Sequence, residues 1–537
     1  LDERLYSNSD IYTIQISPED LIYIPDSVQH CIVIRAAVFD ENDSCISEVA
    51  TNSYFIHSLG CDSHELPVVS ICADSLDLFD YHYGIFVPGI HFNSSNPYWT
   101  GNYYQSGLDW ERPMNIEFYE LNNTGINQQA GMRTHGGNGR RFQQKSIKLY
   151  ARESYGQKRF DHRFFETIPQ DSFKHLVLKP FASSWNNTGI NDHISNRIAA
   201  HLNVESLADR PVILYLNGEY WGIYYIHERP DERFLEDHFD IDPDNVNIIS
   251  GWYSFAEHGT STHFDDLYHW METADLTVAE QYDWLKSQMD IDNFIDYQIL
   301  ELFLENTDWP RNNVRCWQLG DGKWRWIFYD GDACICWVTF NAFDNSVYVG
   351  DDLWPSSSNA SLFFRKLLYN NEFSEQFNAR FLELLNTAFS YDTTGPIFAD
   401  IKQKLEPEIP FQSDRFGIPT DISTWDTFMG HSHWFLMKRG EYLAPVLKDF
   451  VGSYLITQEL THGGVFPNPS RGTVYLRYTA DSQENTVVFV YDALGRQVYS
   501  QTVSMASGLN TVTLDLPLSP GLYFLKINNH VFKILRQ

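Results

Sequence analysis

The chain has 537 residues, and 43% of them are hydrophobic and 15% aromatic, which is enough for roughly two to four packed domains and too much for a disordered protein. Its 71 acidic residues outnumber the 38 basic ones and give a formal charge of −33, and a surface of this sign repels nucleic acids and anionic membranes. We therefore expect no nucleic-acid partner, and the lack of an apolar run of about 18 residues predicts no transmembrane segment.

Residues 1–60 alternate between apolar and polar positions in the segments IYTIQI, CIVIRAAVF and SYFIH, which Asp, Asn, Ser and Pro separate. This pattern is typical of short β-strands joined by turns. We predict a small β-sandwich that serves as a spacer or docking module. The chain opens on Leu1 instead of Met, so we expect a processed or truncated start. The lack of a signal segment in the sequence is therefore not evidence about export.

A new unit is predicted to begin at residue 61, with the buried-type strand LPVVSI soon after it. Its most unusual stretch is GMRTHGGNGRRFQQKSIKLYAR, where the glycines of GGNG permit a ligand to approach the backbone closely. Arg140, Arg141, Lys145 and Lys148 add positive charge there. Lys145 and Lys148 stand three apart on a predicted strand, so only one of them can point into a site. A glycine loop with solvated basic side chains is the alternative.

The next segments include a helix and a hairpin. HLVLKPF is followed by NDHISNRIAAHL, which has the character of a helix. RPVILYLNGEYWGIYYIHERPD predicts a β-hairpin, because two apolar strands flank Asn217-Gly218. Its second strand ends at Glu228, and a helix is predicted from Pro230-Asp231. Glu228 could pair with Lys145, as kinases pair a strand Lys with a helix Glu, or it could be an ordinary exposed acid.

The centre of the chain has the order helix, polar loop, hairpin and two acids. DNFIDYQILELFLEN predicts an apolar helix, which ends at the polar residues and proline of NTDWP. The apolar segments VRCWQL and KWRWIFY flank Gly320-Asp321-Gly322, which predicts a second hairpin. Its second strand runs directly into Asp330-Gly331-Asp332.

This order has a chemical meaning. Asp308 and Asn313 stand five apart, the spacing at which a kinase catalytic loop holds an Asp that orients the accepting hydroxyl and an Asn that binds magnesium. Asp330 and Asp332 follow a hairpin, where such a domain keeps its metal-binding acid, and their hard oxygen atoms suit Mg²⁺ that bridges nucleotide phosphates. Each pattern alone is also explained by ordinary turn residues.

The seven cysteines predict no zinc site, because none belongs to a C-x-x-C pair. Cys334 and Cys336 alternate along a predicted strand, where buried free thiols are the simplest interpretation. Four cysteines near the N-terminus could pair in an oxidising compartment, but the odd total leaves their connectivity open.

The last part of the chain differs in charge and pattern. From Ser453 onward there are six Arg and Lys residues and five Asp and Glu residues. The excess of acidic over basic residues therefore lies entirely in the rest of the chain. TVYLRYT, TVVFVYD, NTVTLDL and GLYFLKI are evenly spaced and predict a small antiparallel sandwich over residues 453–537.

Three pieces of the middle of the chain resemble the CotH family, spore-coat kinases and their relatives, and occur in the family's order over about residues 66–450. They are RTHGGNGRRFQQKS, LYLNGEYWGIYYIHERPDERFL and ENTDWPRNNVRCWQLGDGKWRWIFYDGDACI. The resemblance implies a multidomain protein with a central α+β atypical protein-kinase-like domain at 61–452, flanked by the N- and C-terminal β-sandwich domains at 1–60 and 453–537. The segment VIRAAVFDENDSCISEVATNSYFI is similar to the small chitobiase C-terminal-like domain.

The CotH resemblance implies phosphorylation of Ser or Thr in a protein acceptor, with ATP and Mg²⁺. It implies that Asp308 is catalytic, that Lys145 is the phosphate-binding Lys and that Glu228 is its partner. The implied nucleotide-binding residues are Arg140, Lys145, Lys148 and Glu228, and the implied metal ligands are Asn313, Asp330 and Asp332. One departure is Gln143-Gln144, where the family usually has Pro-Lys.

The tail resembles a type IX secretion sorting domain in its segments FPNPSRGTVYLRY, VYDALGRQVYS and LSPGLYFLKI. This resemblance implies that the type IX machinery exports the protein to the cell surface or the medium. Because ATP is scarce outside cells, the alternative is a catalytically inactive kinase-like surface module that binds another ligand, associated with polysaccharide degradation. A glycoside hydrolase using Glu301 and Glu305 is disfavoured, since acids four apart on one apolar helix lack the cross-cleft geometry.

Overall fold

A computed structural model describes residues 25–55, 64–121, 124–184, 187–251, 255–310, 312–347, 359–461, 464–466, 470, 473–480, 482–493, 495–528 and 530–536. The chain divides into two compact units. The first comprises Leu1–Ala274, Asp283–Phe364 and Ala379–Ala444, and the second Asp275–Tyr282, Arg365–Asn378 and Pro445–Gln537. Among the described helices, none combines the length and the apolar character that a membrane span requires.

The strands of the first unit are β1 (Ile32–Ala36), β2 (Ala50–Tyr54), β3 (Val68–Ala73), β4 (Arg112–Tyr119), β5 (Thr124–His135), β6 (Ser146–Tyr150), β7 (Phe160–Asp161), β8 (Ser172–Phe173), β9 (His175–Pro180), β10 (Asp209–Leu216), β11 (Glu219–His227), β12 (Val246–Ser250), β13 (Phe255–His258), β14 (Arg315–Leu319) and β15 (Arg325–Trp326).

The helices in the described part of the chain are α1 (Ser75–Phe79), α2 (Asn191–Ala199), α3 (Glu232–Phe239), α4 (Thr262–Thr273), α5 (Ala279–Gln288), α6 (Ile291–Leu304), α7 (Ala342–Val347), α8 (Asn359–Leu367), α9 (Asn371–Asn386), α10 (Tyr391–Leu405), α11 (Ile409–Phe416) and α12 (Ile422–Thr461).

Seven strands close into a barrel in the order β10, β11, β9, β6, β5, β4 and β3. Neighbouring strands are antiparallel except β10 and β3, which run parallel. The predicted hairpin is confirmed as β10 and β11, and its turn places Asn217 and Gly218 at φ of 49° and 86°. Positive φ at both positions is typical of the tight turns that join antiparallel strands, which explains the Asn-Gly sequence.

Alternate side chains of the barrel strands fill its interior. Ile147 and Leu149 of β6 lie in this core with Leu176 and Leu178 of β9. Because neighbouring side chains on a strand point to opposite faces, Lys148 and Lys179 belong to the outer face of the barrel. The apolar core therefore fixes the positions of both basic side chains.

A second sheet has the order β13, β12, β14 and β15, and all its pairs are antiparallel. The pair of β14 and β15 confirms the hairpin predicted around Gly320-Asp321-Gly322. Helix α6 lies before this hairpin in the chain and buries every residue except Asp292. The Asp290 side chain caps its start by accepting a hydrogen bond from the backbone N–H of Asn293. Sequence reasoning thus predicted the helix and the hairpin that flank the polar loop.

The described part of the N-terminal region forms the two-stranded sheet of β1 and β2, and the predicted strand IYTIQI lies outside the described residues. This sheet packs on the barrel through the buried carboxylate of Glu117 on β4. Ser53 donates to that carboxylate from its backbone N–H at 3.1 Å and from its hydroxyl at 2.6 Å. Asn127 Nδ2 donates to the carbonyl oxygen of Thr51 at 2.8 Å. Residues 50–54 are therefore tied to the barrel by buried polar contacts.

The C-terminal strands are β16 (Gly464–Phe466), β17 (Val474–Ala480), β18 (Glu484–Asp492), β19 (Gln497–Met505), β20 (Gly508–Leu514), β21 (Gly521–Ile527) and β22 (His530–Arg536). They form one sheet of β16, β17 and β20 and another of β19, β18, β21 and β22. Both sheets contribute to one hydrophobic core, which fits the predicted sandwich. The predicted boundary at residue 453 lies inside α12, and the boundary at residue 60 lies outside the described residues.

The segment around Cys334 differs from the prediction. It is an irregular turn instead of a strand, since Cys334 ends a short 3-10 turn and Ile335 has a φ of 60°. Cys334 is buried and Cys336 half-buried, and neither forms a disulfide with another described cysteine. The alternation of apolar residues here reflects burial around a turn.

Candidate active site

The polar loop after α6 begins at a left-handed residue. Glu305 caps the helix at a φ of 58°, and the chain then turns away from the helix axis towards Asp308. Asn312 Nδ2 donates to Asp308 Oδ1 at 2.8 Å, and Asn313 Nδ2 lies 3.4 Å from Asp308 Oδ2. The Asp and Asn of the five-residue spacing are thus brought together, and two amides orient the carboxylate of Asp308.

Asn313 also connects this loop to the two acids that follow the hairpin. Its Nδ2 donates to the backbone carbonyl of Asp330 at 3.1 Å. Asn313 and Asp330 both have left-handed backbones, with φ of 56° and 62°, a conformation that Asn and Asp tolerate better than most residues. The structure therefore brings Asp308, Asn313 and Asp330 into one cluster.

Lys179 of β9 lies among the acids of this cluster. Its ammonium nitrogen is 2.9 Å from Asp192 Oδ2, 2.6 Å from Asp330 Oδ1 and 3.0 Å from Asp332 Oδ1. The side chains of Lys179 and Asp192 are each 12% exposed, whereas that of Asp330 is 40% exposed. Three acidic side chains thus contact one buried ammonium group. Asp330 is the most exposed of the three, so the cluster reaches solvent at Asp330.

Helix α2 holds the Asp330-Gly331-Asp332 turn in place. The backbone N–H of Gly331 donates to Asp192 Oδ1 at 2.7 Å, and Asn191 Nδ2 donates to the carbonyl oxygen of Asp332 at 3.0 Å. A Cβ at Gly331 would lie 2.9 Å from the Cβ of Ser195, closer than real Cβ contacts. The turn packs against α2 so tightly that only glycine fits between the two acids.

Charge and burial act in opposite directions on these groups. Burial alone would raise the pKa of Asp192, but Lys179 and then His227 outweigh it and hold this pKa below its usual value. Burial raises the pKa of Asp332 well above its usual value, and Asp330 adds to the rise. Burial would lower the pKa of Lys179, but its three acidic neighbours raise it well above the usual value. Lys179 therefore stays charged, and the raised pKa of Asp332 indicates that one ammonium does not stabilise all three acids as carboxylates.

The donor atoms of this cluster suit a magnesium ion. Among the described residues, no three His, Cys, Asp or Glu side chains are grouped as a metal cage. Mg²⁺ bound with nucleotides is normally held by one or two carboxylates, with phosphates and water as its other ligands. Asp330 and Asp332 can supply those carboxylates, and Asn313 an amide oxygen, so the residues fit the ion.

The glycine-rich stretch places its basic side chains against aromatic rings and backbone carbonyls. Lys145 donates to the carbonyl oxygen of Phe142 at 2.6 Å and lies 4.6 Å from the ring centroid of Tyr103. Burial lowers the pKa of Lys145 to about 7. Arg140 Nη1 donates to the carbonyl oxygen of Tyr104 at 3.3 Å. The ammonium of Lys145 is therefore directed at its own loop.

Lys148 has a different partner. Its ammonium lies 3.6 Å from Asp231 Oδ2, and Asp231 also caps α3 through the backbone N–H groups of Arg233 and Phe234. Burial, followed by the charge of Arg229, lowers the pKa of Lys148 to about 8. Lys145, which precedes β6, and Lys148, which lies on it, thus have different partners.

The predicted pair of Lys145 and Glu228 is not formed, which corrects the expectation from the kinase pattern. The buried Glu228 accepts a hydrogen bond from the backbone N–H of Ala208 at 2.9 Å, and its other oxygen lies 2.7 Å from His238 Nε2. Glu228 follows the last residue of β11, so its backbone position fixes its side chain between β10 and α3. Its role in the structure is to join these elements.

Two histidines interact electrostatically with the basic stretch and the acidic cluster. Burial lowers the pKa of His135 well below its usual value, and the nearby charges of Arg229, Lys148 and Arg140 lower it further. Burial also lowers the pKa of His227, which lies within electrostatic range of Asp192 and Lys179. His135 and His227 thus connect the basic side chains and the acidic cluster electrostatically.

Sequence reasoning missed Lys179 and assigned no role to Asp192. The signal was present in HLVLKPF, because a charged residue inside an apolar strand is almost never buried without a partner. Asp192 lies in the first turn of the predicted helix, where an acid is favourable for electrostatic reasons alone. Nothing in the local pattern separated that explanation from a contact with Lys179.

Glu305 predicts a pH effect on stability. Burial raises the pKa of Glu305 to about 7, although the backbone N–H groups of Cys336 and Trp337 donate to its carboxylate. Between roughly pH 4.5 and 7, the folded protein keeps a proton that the unfolded chain has released, so the free energy of unfolding falls by about 3 kcal/mol as pH rises. Glu305→Gln should lack this fall when urea unfolding is compared across that range. Equal pH profiles of the two proteins would show that Glu305 is ionised in the fold.

A family model described as "CotH kinase protein" matches residues 132–443, which are more than half of the chain. A model described as "Secretion system C-terminal sorting domain" matches residues 464–537. No curated protein matches the chain. The first match covers the glycine-rich stretch, Lys179, Asp308 and both acids after the hairpin, and the second begins at β16. The resemblances to the CotH family and to a secretion sorting domain are therefore confirmed.

Proposed function

Because the chain belongs to the CotH kinase protein family, we propose that it transfers the γ-phosphoryl group of ATP, with Mg²⁺, to Ser or Thr hydroxyls of surface or extracellular proteins. The observation that carries this proposal is the cluster of Asp308, Asn313 and Asp330, joined by the amide of Asn313. These residue types, in this order, are those that protein kinases use for acceptor orientation and metal binding.

The proposed mechanism divides the cluster into two parts. Asp308, oriented by Asn312 and Asn313, accepts the proton of the acceptor hydroxyl while the hydroxyl oxygen attacks the γ-phosphorus and the bond to the β-phosphate oxygen breaks. Asn313, Asp330 and Asp332 hold Mg²⁺, which when bound offsets the negative charge of the phosphates. Arg140, Lys145 and Lys148 are proposed to add positive charge on the nucleotide side, and Glu228 supports that side through β10 and α3.

The sorting domain identifies the protein as secreted or attached to the cell surface, and it supports the type IX secretion machinery as a partner. A kinase at this location needs ATP outside the cytoplasm or during export. One observation favours the alternative of a kinase-like binding module without activity. Gln144, where the family usually has Lys, is buried and donates to Gln412 Oε1 at 3.3 Å and to the carbonyl oxygen of Trp221 at 3.1 Å, so it offers no charge to a phosphate.

Nucleotide binding distinguishes these functions. A ligand at about 100 times its Kd adds about 2.7 kcal/mol to the stability of the folded state, so Mg-ATP should raise the melting temperature. Asp330→Asn removes one proposed metal ligand and should reduce the rise. Asp321→Asn, the same change in the exposed turn between β14 and β15, is the matched control and should leave it unchanged. No shift of the unmodified protein at millimolar Mg-ATP would support the inactive binding module.

A further inference from the structure

Lys179 is in direct contact with two of the proposed metal ligands. It contacts the carboxylates of Asp330 and Asp332 at 2.6 and 3.0 Å. A magnesium ion lies about 2.1 Å from the oxygens that bind it. Phosphate oxygens that share an ion with these two acids must therefore lie within a few ångströms of them, which is also the range of the Lys179 ammonium.

The two lysines of the basic stretch are directed elsewhere. Lys145 donates to the carbonyl oxygen of Phe142, and Lys148 lies against Asp231. Burial lowers their pKa values to about 7 and about 8, so a fraction of each is uncharged at neutral pH. Of these three lysines, Lys179 is the one that pairs with Asp330 and Asp332. A phosphate that shares a cation with those acids would therefore lie within reach of the Lys179 ammonium.

The charges of the cluster allow for such a ligand. Asp192, Asp330 and Asp332 carry three carboxyl groups against the one ammonium of Lys179. A divalent cation would complete the neutralisation of the acids, and the ammonium could then interact with a phosphate. Asp192 would keep Lys179 in place, since it is fixed in turn by the backbone N–H of Gly331.

From these contacts we propose that Lys179 binds the phosphate group of the nucleotide that shares Mg²⁺ with Asp330 and Asp332. This inference rests on the proposed function and gives it a phosphate-binding residue that the kinase pattern had assigned to Lys145. Lys179 binds through its charge and its position on the rigid outer face of β9, which the barrel core fixes.

The test must remove the ammonium without leaving three acids unpaired. Lys179→Met combined with Asp192→Asn does this, because one positive and one negative charge are lost together and the net charge of the cluster is unchanged. It is compared with Asp192→Asn alone, so that the difference reports on Lys179. Lys174→Met, which removes a lysine just before β9, controls for the loss of a lysine in this region. Circular dichroism establishes that each protein is folded.

Calorimetry with Mg-ATP and with Mg²⁺ alone gives the result. We expect the double variant to bind Mg-ATP about tenfold or more weakly than Asp192→Asn, with the same affinity for Mg²⁺ alone, because a charge-assisted hydrogen bond to phosphate is lost. An unchanged Mg-ATP affinity, or an equal loss for Mg²⁺ alone, would overturn the inference and leave the proposed kinase intact. If the unmodified protein binds no Mg-ATP, both fall. Should the double variant not fold, Lys179→Met with Asp332→Asn is compared with Asp332→Asn in the same way.

Discussion

Asp308→Asn is expected to bind Mg-ATP almost as well as the unmodified protein and to transfer almost no phosphate. Asn312 and Asn313 orient the carboxylate of Asp308, and its proposed task arises only as the phosphoryl group moves. Positioning and proton acceptance of this kind typically contribute a factor of about 10²–10⁴ in rate, or roughly 3–5 kcal/mol. Transfer from labelled ATP to a Ser-rich acceptor measures the loss, and calorimetry measures nucleotide binding.

A purely structural role of Asp308 predicts a different result. An Asp that only caps a turn would cost about 1 kcal/mol of stability when replaced, with activity retained. Asn keeps the size and one acceptor oxygen of Asp, which limits the structural effect. Asp321→Asn again serves as the matched control. Normal transfer by a folded Asp308→Asn protein would reject Asp308 as the catalytic residue.

Arg439→Met is expected to lower the stability of the first unit by about 3–5 kcal/mol, because it removes a buried charge that several groups depend on. Arg439 donates to the carbonyl oxygens of Leu302 at 2.9 Å and Phe303 at 3.0 Å, near the end of α6. It also donates to those of Val338 at 2.7 Å and Phe340 at 2.8 Å. The carbonyls at a helix end have no partner within the helix, so this side chain supplies one.

Urea unfolding of Arg439→Met, Arg439→Lys and Lys438→Met measures the effect. Arg439→Lys keeps the charge but loses the planar fork, so an intermediate loss is expected. Lys438 pairs with Glu441 on the surface of the same helix, and its removal should cost at most about 1 kcal/mol. If Arg439→Met and Lys438→Met were equally stable, the prediction would be wrong. Water would then satisfy the four carbonyl oxygens in place of the guanidinium.

Sequence reasoning found the part of the site that is local in the chain. The hairpin turns, the apolar helix α6 and the cluster of Asp308, Asn313 and Asp330 all follow from patterns within about 40 residues of one another, where turn chemistry and periodicity act directly. The CotH resemblance placed these pieces in the correct order. Local pattern and tertiary structure therefore agree around the loop that follows α6.

The rest of the site depends on contacts that no local pattern shows. Lys179 and Asp330 are 151 residues apart, and the closure of seven strands into a barrel brings them together. The prediction that Glu228 pairs with Lys145 was wrong for a related reason. The orientation of Glu228 depends on α3, which places His238 beside it, and on Ala208, which precedes β10 and donates its backbone N–H. The kinase pattern predicted that Lys145 and Glu228 would pair, but the tertiary structure gives each of them other partners.

The contacts of Glu117 determine where the kinase-like part of the protein can be shortened. A fragment that begins at residue 61 would lack Ser53, which donates twice to this buried carboxylate, and would expose the barrel surface under β1 and β2. A fragment that ends at residue 452 would be cut within α12, which continues to Thr461. A recombinant fragment for crystallisation or assay should therefore retain the N-terminal sheet and the whole of this helix, although the family match spans only residues 132–443.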